Sequence, residues 1–169
     1  MEKSTNIFTK IISGGQTGAD LGGLLAGREL GIPTGGTAPK GFRTESGAAP
    51  WLRDFGLAED ASIAYTRRTT RNVMDASGTV IFGNISSIGS AETLRLCNNA
   101  GKPVLVIPWP HPHDRTREDE IERFRLWCVQ HSITVLNVAG NRESRNLGIW
   151  RAVRRFLVEA YMGKASQGE

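Results

Sequence analysis

The chain contains 169 residues, of which 39% are hydrophobic and 22% are charged, so it is predicted to form one compact domain over residues 1–169. Its formal net charge of +4 would attract a phosphorylated small molecule or nucleic acid, but no RNA-recognition signature is present, so nucleic acid is not the expected partner. No apolar run approaches the length of a membrane span, and residues 1–6 precede no signal-peptide-like apolar region, so we expect a soluble, cytoplasmic protein.

The first predicted strand, residues 9–12, runs directly into a glycine-rich block and then a helix-like stretch. Glycine lets the backbone approach an anion closely, and the amides at the start of a helix attract negative charge. Because the block matches neither the Walker loop nor the dinucleotide motif, it predicts an anionic ligand rather than an NTPase. A strand-to-helix turn without a ligand is the alternative. The candidate ligand contacts in this block are Gly14, Gly15, Gln16, Thr17, Gly18 and Asp20.

The next segment, residues 31–66, is rich in glycine and proline and has little regular periodicity. Long irregular loops in compact domains are usually functional, so we predict a flap over the ligand site. Gly36 and Lys40 are its candidate contacts to a phosphate or carboxylate. A solvated lysine in a polar turn fits the sequence equally well, because lysine side chains are mostly exposed.

A helix is predicted around residues 67–72. On it, Arg68, Arg71 and Asn72 would share one face, because they follow an i, i+3, i+4 spacing. Two guanidinium groups and an amide suit the recognition of a phosphate or carboxylate. A solvated basic face is the alternative explanation.

A strand predicted over residues 79–82 leads into a second small polar loop and a helix over residues 90–100. Ser90 is predicted as the N-cap of that helix. Glu92 in the first turn would favour the helix dipole, and a partly desolvated carboxylate there could act as an acid or base. The candidate ligand contacts of this region are Gly83, Asn84, Ser86, Gly89, Ser90 and Thr93.

A strand at 104–107 is followed by His111-Pro112-His113-Asp114, which is typical of a turn and lacks a full set of metal ligands, so no metal site is expected. Helix-like spacing then covers residues 117–131, a strand covers 134–138 and a last helix covers 145–162. The third loop lies between this last strand and helix, and Gly140 and Arg142 are its candidate contacts.

The alternation of apolar strands and helices predicts an α/β fold with a mainly parallel sheet and helices on both faces. Ligands bind at the carboxyl ends of such strands, so the three glycine-containing loops should converge on one rim of the sheet. Cys97 and Cys128 lie in apolar helix-like stretches without a C-x-x-C spacing, so they are predicted to be reduced core thiols.

Several motifs together carry a family resemblance: SGGQTGAD at 13–20, GG at 35–36 with PKG at 39–41, RT at 68–69 with NV at 72–73, and LNVAG at 136–140 with RES at 142–144. They resemble the putative molybdenum carrier family. This family is the circularly permuted YpsA-like branch of the SLOG superfamily, which includes the Lonely Guy phosphoribohydrolases and lysine-decarboxylase-like proteins. The resemblance covers nearly the whole chain. It implies a Rossmann-like three-layer sandwich that holds a nucleotide-derived or pterin-cofactor phosphate at its rim, commonly as an oligomer.

The sequence departs from the hydrolases of that superfamily at the catalytic loop. Those hydrolases carry Gly-Gly-x-Gly-Thr-x-x-Glu, whose glutamate assists cleavage of an N-glycosidic bond. Here Thr93 stands at the glutamate position and Glu92 precedes it, and because one helical residue is a turn of about 100°, Glu92 is predicted to point elsewhere. Arg68 matches the family's helical arginine, but the family's Ser-Asp before the next strand is Ala76-Ser77. These departures favour binding over catalysis.

Three functions are consistent with the sequence. The first is a carrier or sensor that binds a phosphorylated nucleotide-like ligand or molybdenum cofactor without turning it over. The second is a phosphoribohydrolase of nucleoside monophosphates, with Glu92 or Asp20 as acid/base and Arg68 holding the phosphate. The third is a scaffold whose vestigial rim is blocked by side chains. A small phosphorylated ligand and further copies of the chain are the expected partners.

Overall fold

The structure, a computed structural model, describes residues 6–163 and arranges six parallel strands in one sheet. The strands are β1 (Lys10–Ile12), β2 (Thr34–Ala38), β3 (Arg43–Thr44), β4 (Gly47–Ala48), β5 (Leu57–Glu59), β6 (Gly78–Phe82), β7 (Val104–Ile107) and β8 (Val135–Gly140). The helices are α1 (Ala19–Leu30), α2 (Tyr65–Asp75), α3 (Ile88–Asn99), α4 (Arg117–Gln130) and α5 (Ile149–Met162). Residues 1–5, which bear on the signal-peptide expectation, lie outside the described residues.

The six-stranded sheet has the order β5-β2-β1-β8-β6-β7, with β3 and β4 forming a separate hairpin. The strand β8 pairs with β1 on one side and with β6 on the other, in parallel register on both. Helices α1, α4 and α5 pack together, and α2 packs against α3. These two groups cover opposite faces of the sheet, as right-handed crossovers require. The predicted α/β three-layer sandwich is therefore confirmed.

The core lies between the sheet and the helices, and apolar strand residues fill it. Ile11, Val80 and Leu136 on neighbouring strands are fully buried, and Phe156 and Leu157 of α5 pack against the same cluster. Each such side chain contributes about 1.5–3 kcal/mol when it leaves water. Among residues 6–163, none of the helices has both the length and the apolarity needed to cross a bilayer.

Both cysteines lie in this core as free thiols, in agreement with the sequence-based expectation. Burial raises the pKa of Cys97, and it raises the pKa of Cys128 to about 12. Neither thiol is therefore ionised near neutral pH, so neither is an activated nucleophile.

Residues 31–66 differ from the predicted irregular loop, because they contain β2, β5 and the β3-β4 hairpin. The strand β2 has the sequence Thr-Gly-Gly-Thr-Ala, which shows no apolar period. Gly36 is required in it, because its φ is +122° and a Cβ atom there would overlap the carbonyl oxygen of Ser13, the residue that follows β1. The glycine pair that indicates a turn in the sequence is thus a place where two strands approach closely.

Two helix starts also differ from the predictions. The N-cap of α3 is Ser87, whose side chain accepts a hydrogen bond from the amide of Ser90, so the helix begins at Ile88 rather than at residue 90. Helix α5 begins at Ile149, because a 3-10 turn occupies Glu143–Arg145 and Gly148 adopts a φ of +85°. The earlier start of α3 shortens the second loop, and the later start of α5 lengthens the third loop. Both loops border the rim.

Candidate functional site

A cleft of about 800 Å³ opens at the carboxyl ends of β1, β8 and β6. The loops that follow these three neighbouring strands meet there, as the topology of a parallel sheet predicts. Of the predicted contacts, the cleft is lined by Gly14, Gln16, Asp20, Arg68, Asn72, Asn84, Ser86, Gly89, Ser90, Glu92, Thr93, Gly140 and Arg142. The remaining predicted contacts, which do not line it, are Gly15, Thr17, Gly18, Gly36, Lys40, Arg71 and Gly83.

Asp20 and Arg68 form a buried ion pair at the base of the cleft. The Oδ2 atom of Asp20 lies 3.3 Å from Nη1 of Arg68, and the two side chains are 7% and 12% exposed. A Cβ atom on Gly14 would overlap the guanidinium, so glycine is needed there to let Arg68 lie across the first loop. The helical arginine and the first loop are therefore in direct contact.

Three consecutive backbone amides of the first loop already have acceptors within the chain. The amide of Gln16 donates to the Asp20 carboxylate at 3.1 Å, and the amide of Gly15 donates to the Ser13 hydroxyl at 3.3 Å. The amide of Thr17 donates to the side chain of Gln16 at 3.0 Å. Asp20 thus takes the position in which a phosphate was expected, and these amides are not free for a ligand.

The ionisation of Asp20 depends on two opposing effects. Burial raises the pKa of Asp20, whereas the charge of Arg68 and hydrogen bonds from Gln16, Arg68 and Gly14 lower it, and the net shift is upward. The carboxylate therefore depends on Arg68 to stay charged.

The start of α3 presents backbone amides that point out of the helix without partners. Within residues 6–163, the amides of Ile88 and Gly89 donate to no acceptor, and both residues line the cleft. The free amides of a first helical turn and the positive end of the helix dipole attract an anion. Unpartnered amides that line the cleft therefore lie at the second loop.

Asn141 joins the second loop to the third and is 4% exposed. Its amide nitrogen donates to the carbonyl oxygen of Asn84 at 2.9 Å and to the hydroxyls of Ser87 and Ser90 at 3.1 and 3.3 Å. Its amide oxygen accepts from the amide of Asn84 at 2.7 Å and from the side chain of Asn146 at 3.2 Å. The shape of this side of the cleft therefore depends on Asn141.

Two arginines of the third loop line the cleft mouth, namely Arg142 and Arg145. Arg142 is 43% exposed and its Nε atom lies 3.9 Å from Glu45. Within residues 6–163, no acidic side chain lies within salt-bridge distance of Arg145. The cleft lining therefore includes an unneutralised positive charge as well as the free amides of α3.

Neither Asn141 nor Arg145 is among the sequence-based candidates. The sequence carries a weak signal for Asn141, because Gly140-Asn141 repeats the Gly83-Asn84 pattern after a neighbouring strand. Arg145 is not a candidate because the sequence pattern predicts that residue 145 begins the last helix. In the structure it lies in the loop that borders the rim.

The hairpin β3-β4 attaches to the outer edge of the rim through Glu45. Its carboxylate accepts hydrogen bonds from the hydroxyl of Thr17, from the amide of Ser144 at 3.1 Å and from the hydroxyl of Ser144 at 2.5 Å. Burial would raise the pKa of Glu45, but the hydrogen bonds from Ser144 and Thr17 outweigh it and lower the pKa. The segment expected to be a flap therefore connects the first and third loops.

Glu92 lines the cleft, although we expected it to point elsewhere. Because α3 begins at Ile88, Glu92 follows by four residues and lies on the same helix face. Its Oε1 atom accepts from the hydroxyl of Thr66 on α2 at 3.1 Å and lies 3.5 Å from Arg95. The carboxylate thus spans the two helices at the cleft wall, while Thr93 donates to the carbonyl oxygen of Gly89.

Several predicted contacts have structural roles or lie outside the cleft. Asn72 is buried, and its amide group bonds both the backbone nitrogen and the backbone oxygen of Thr37. Arg71 is exposed and lies 3.9 Å from Asp75, and Lys40 is also exposed. Within residues 6–163, no group of three or more His, Cys, Asp or Glu side chains could hold a metal ion.

The comparisons with known proteins agree with this fold. The model of the circularly permutated YpsA SLOG family matches residues 11–161. A crystal structure from Syntrophus aciditrophicus SB, of a protein named a putative molybdenum carrier protein, superposes with a TM-score of 0.84 at 37% sequence identity. The match covers 94% of this chain and 97% of that chain. No curated protein matches the chain.

Proposed function

The chain belongs to the circularly permutated YpsA SLOG family. On that premise, we propose that it binds a phosphorylated nucleotide-like or molybdopterin-type ligand in the cleft without changing it chemically. The cleft of about 800 Å³ lies within the range of small-molecule sites. The printed name of the similar protein from Syntrophus aciditrophicus SB supports a carrier of this kind.

The observation that carries the proposal is that free amides and an unneutralised arginine line the same cleft. The amides of Ile88 and Gly89 would bind the phosphate oxygens, and Arg145 and Arg142 would supply the positive charge. The buried pair of Asp20 and Arg68 would form the base of the site. The ligand phosphate would then lie at the second loop and its ring system along the polar walls.

The residues that line the cleft suit an organic phosphate better than they suit direct coordination of molybdenum. No cysteine or histidine is among the residues that line the cleft, and both cysteines are buried in the core. Thiolate and imidazole are the ligands through which proteins usually bind soft transition metals. A molybdenum cofactor would therefore be cargo that the chain holds through its phosphate and pterin groups.

The proposal predicts that Arg145→Met weakens ligand binding about tenfold, the scale of one lost charge-assisted hydrogen bond. Binding is measured by calorimetry with a panel of nucleoside monophosphates, purified molybdenum cofactor, inorganic phosphate and molybdate. The matched control is Arg71→Met, which removes an exposed arginine outside the cleft and should leave binding unchanged.

A thermal-shift screen with the same panel gives an independent readout. A ligand present at 100 times its dissociation constant should stabilise the fold by about 2.7 kcal/mol. If no nucleoside monophosphate and no molybdenum cofactor shifts the melting temperature of the wild-type protein, the binding function is wrong. An equal loss of affinity in Arg71→Met and Arg145→Met would contradict the assignment to this cleft.

A phosphoribohydrolase is the second candidate, because Glu92 lines the cleft. In that function, Glu92 or Asp20 would act as acid/base and Arg68 would assist in holding the phosphate. The test is the release of free base from nucleoside monophosphates, followed by chromatography, with Glu92→Gln as the inactive variant. A wild-type protein that releases no base from any of them excludes this reaction.

The third possibility, a scaffold with a vestigial rim, fits the structure least well. We expected side chains to block such a rim, whereas the described residues leave an open cleft. The expected homo-oligomer stays a prediction, and sedimentation of the purified chain would test it.

A further inference from the structure

A second cavity, of about 390 Å³, lies beside the third loop and shares no lining residue with the cleft. Its apolar surface comes from Phe82 at the end of β6, from Trp109 after β7, and from Val153 and Phe156 of α5. Its volume falls near the lower end of the usual range for small-molecule sites. The aromatic side chains suit a flat ring, which can pack against them in an offset or edge-to-face arrangement.

Positive charge surrounds this apolar surface. Arg117, Arg151 and Arg155 all line the cavity, whereas none of its lining residues within 6–163 is acidic. Glu159 is shared by two of them, with its oxygens 3.1 Å from Nε of Arg117 and 3.0 Å from Nε of Arg155. Arg117 also lies 3.9 Å from the mostly exposed Glu118.

The third arginine is not neutralised. Within residues 6–163, no carboxylate lies within salt-bridge distance of Arg151, whose guanidinium lies 5.1 Å from the ring centre of Trp150. The cavity therefore attracts anions more strongly than neutral molecules of the same shape.

A histidine at the cavity wall keeps one ring nitrogen for a ligand. His111 has its Nδ1 atom 3.0 Å from the carbonyl oxygen of Pro108, and because that oxygen can only accept, Nδ1 is the donor and Nε2 is left for another partner. The Nε atom of Arg117 is buried against the Glu159 carboxylate, so a ligand could meet only the outer part of that guanidinium. The Nε2 atom of His111 gains from an added hydrogen-bonding partner.

We propose that this cavity is a second ligand site, which takes a small aromatic anion whose ring packs on the half-buried Trp109 while its carboxylate or phosphate pairs with the arginines. Apolar and charged features are both needed for this assignment. An apolar surface alone would accept any flat ring, and arginines alone would accept any anion, but the two together select a ring that carries a negative charge. The third loop separates this site from the cleft.

Calorimetry with four probes tests the chemistry of the site. Benzoate and phenyl phosphate carry a ring and a charge, benzamide carries the ring alone, and acetate carries the charge alone. We expect at least one aromatic anion to bind, and benzamide and acetate to bind at least about tenfold more weakly. Preference for benzoate or for phenyl phosphate identifies the anionic group. Failure of both aromatic anions to bind the wild-type protein overturns the proposal.

Three variants place the binding in this cavity. Ala152→Phe fills the cavity and should abolish binding of the aromatic anion, and Arg151→Met should weaken it about tenfold. Arg145→Met, which changes the cleft, should leave it unchanged, so failure of this proposal and failure of the cleft assignment give different results. Arg151 is exposed, so Arg151→Met keeps the test valid if Ala152→Phe does not fold. Loss of binding in Arg145→Met alone would place the anion in the cleft and overturn the proposal.

Discussion

Replacing Arg68 with methionine should destabilise the protein by about 3 kcal/mol at neutral pH, because the substitution leaves the buried Asp20 carboxylate without its cation. The Asp20 side chain is 7% exposed and lies 3.3 Å from the guanidinium, so Arg68 and the neighbouring amides, rather than water, stabilise its charge in the folded chain. Methionine keeps much of the apolar stem, and the loss therefore reports mainly on the charge. Urea unfolding at pH 7 measures it.

The destabilisation caused by Arg68→Met should decrease as the pH falls. Burial raises the pKa of Asp20 and Arg68 lowers it, so removal of Arg68 raises the pKa of Asp20 further. A carboxyl group whose pKa is higher in the folded state than in the unfolded state destabilises the fold at pH values above its unfolded-state pKa. This cost disappears at lower pH. The difference between wild type and Arg68→Met should therefore shrink as the pH falls toward the ordinary value of 3.8.

The matched variant removes the charge on the other side of the pair. In Asp20→Asn/Arg68→Met neither charge is present, so the double variant should be more stable at pH 7 than Arg68→Met alone. The side-chain oxygen of the asparagine introduced by Asp20→Asn can still accept the hydrogen bond that the Gln16 amide donates. A difference between wild type and Arg68→Met that stays constant from pH 7 to pH 4 would show that lost packing, and not charge, causes the effect.

Gly36→Ala is expected to destabilise the protein by about 4 kcal/mol or to prevent folding, since the change forces β1 and β2 apart. The methyl group would overlap the backbone of Ser13, which cannot move without breaking the sheet, and the φ of +122° is itself unfavourable for alanine. Thermal unfolding followed by circular dichroism measures the loss.

Gly47→Ala separates the two causes. Gly47 has a φ of +103°, but a Cβ atom there would meet nothing within 4 Å. Gly47→Ala should therefore destabilise the protein only through backbone strain, by about 1–2 kcal/mol. If Gly36→Ala and Gly47→Ala destabilise the protein equally, the close approach of the two strands is not what requires glycine at position 36.

The sequence predicts most of the sheet, because several of its strands carry their own signal. The strands β6 and β7 are continuous apolar runs, and the predicted ranges match the structure within one residue. The strand β2 is different, since Gly36 is present for a contact with Ser13 that lies 23 residues away in the chain, and local pattern cannot show that contact. The strand appears in the sequence as a turn for this reason.

The candidate site is likewise predicted only in part from the local sequence. The loops after the strands can be located from the sequence, but the partners of their polar groups cannot. The carboxylate of Asp20 fills its own loop and pairs with Arg68, which lies 48 residues later. A shift of α3 by two residues brings Glu92 onto the cleft wall. Hydrogen-bond partners and helix phase both depend on tertiary contacts, so they emerge only from the folded chain.

The position of β8 in the middle of the sheet has a consequence for the order in which the protein can be made. A ribosome delivers residues 135–140 after all the other strands, yet β1 and β6 both need that strand as a neighbour. Until it emerges, each nascent strand presents an open edge, which is a risk for aggregation. The cleft also lacks its third loop until then. A molecule that needs all three loops of the cleft could therefore stabilise the fold only after synthesis has passed residue 145.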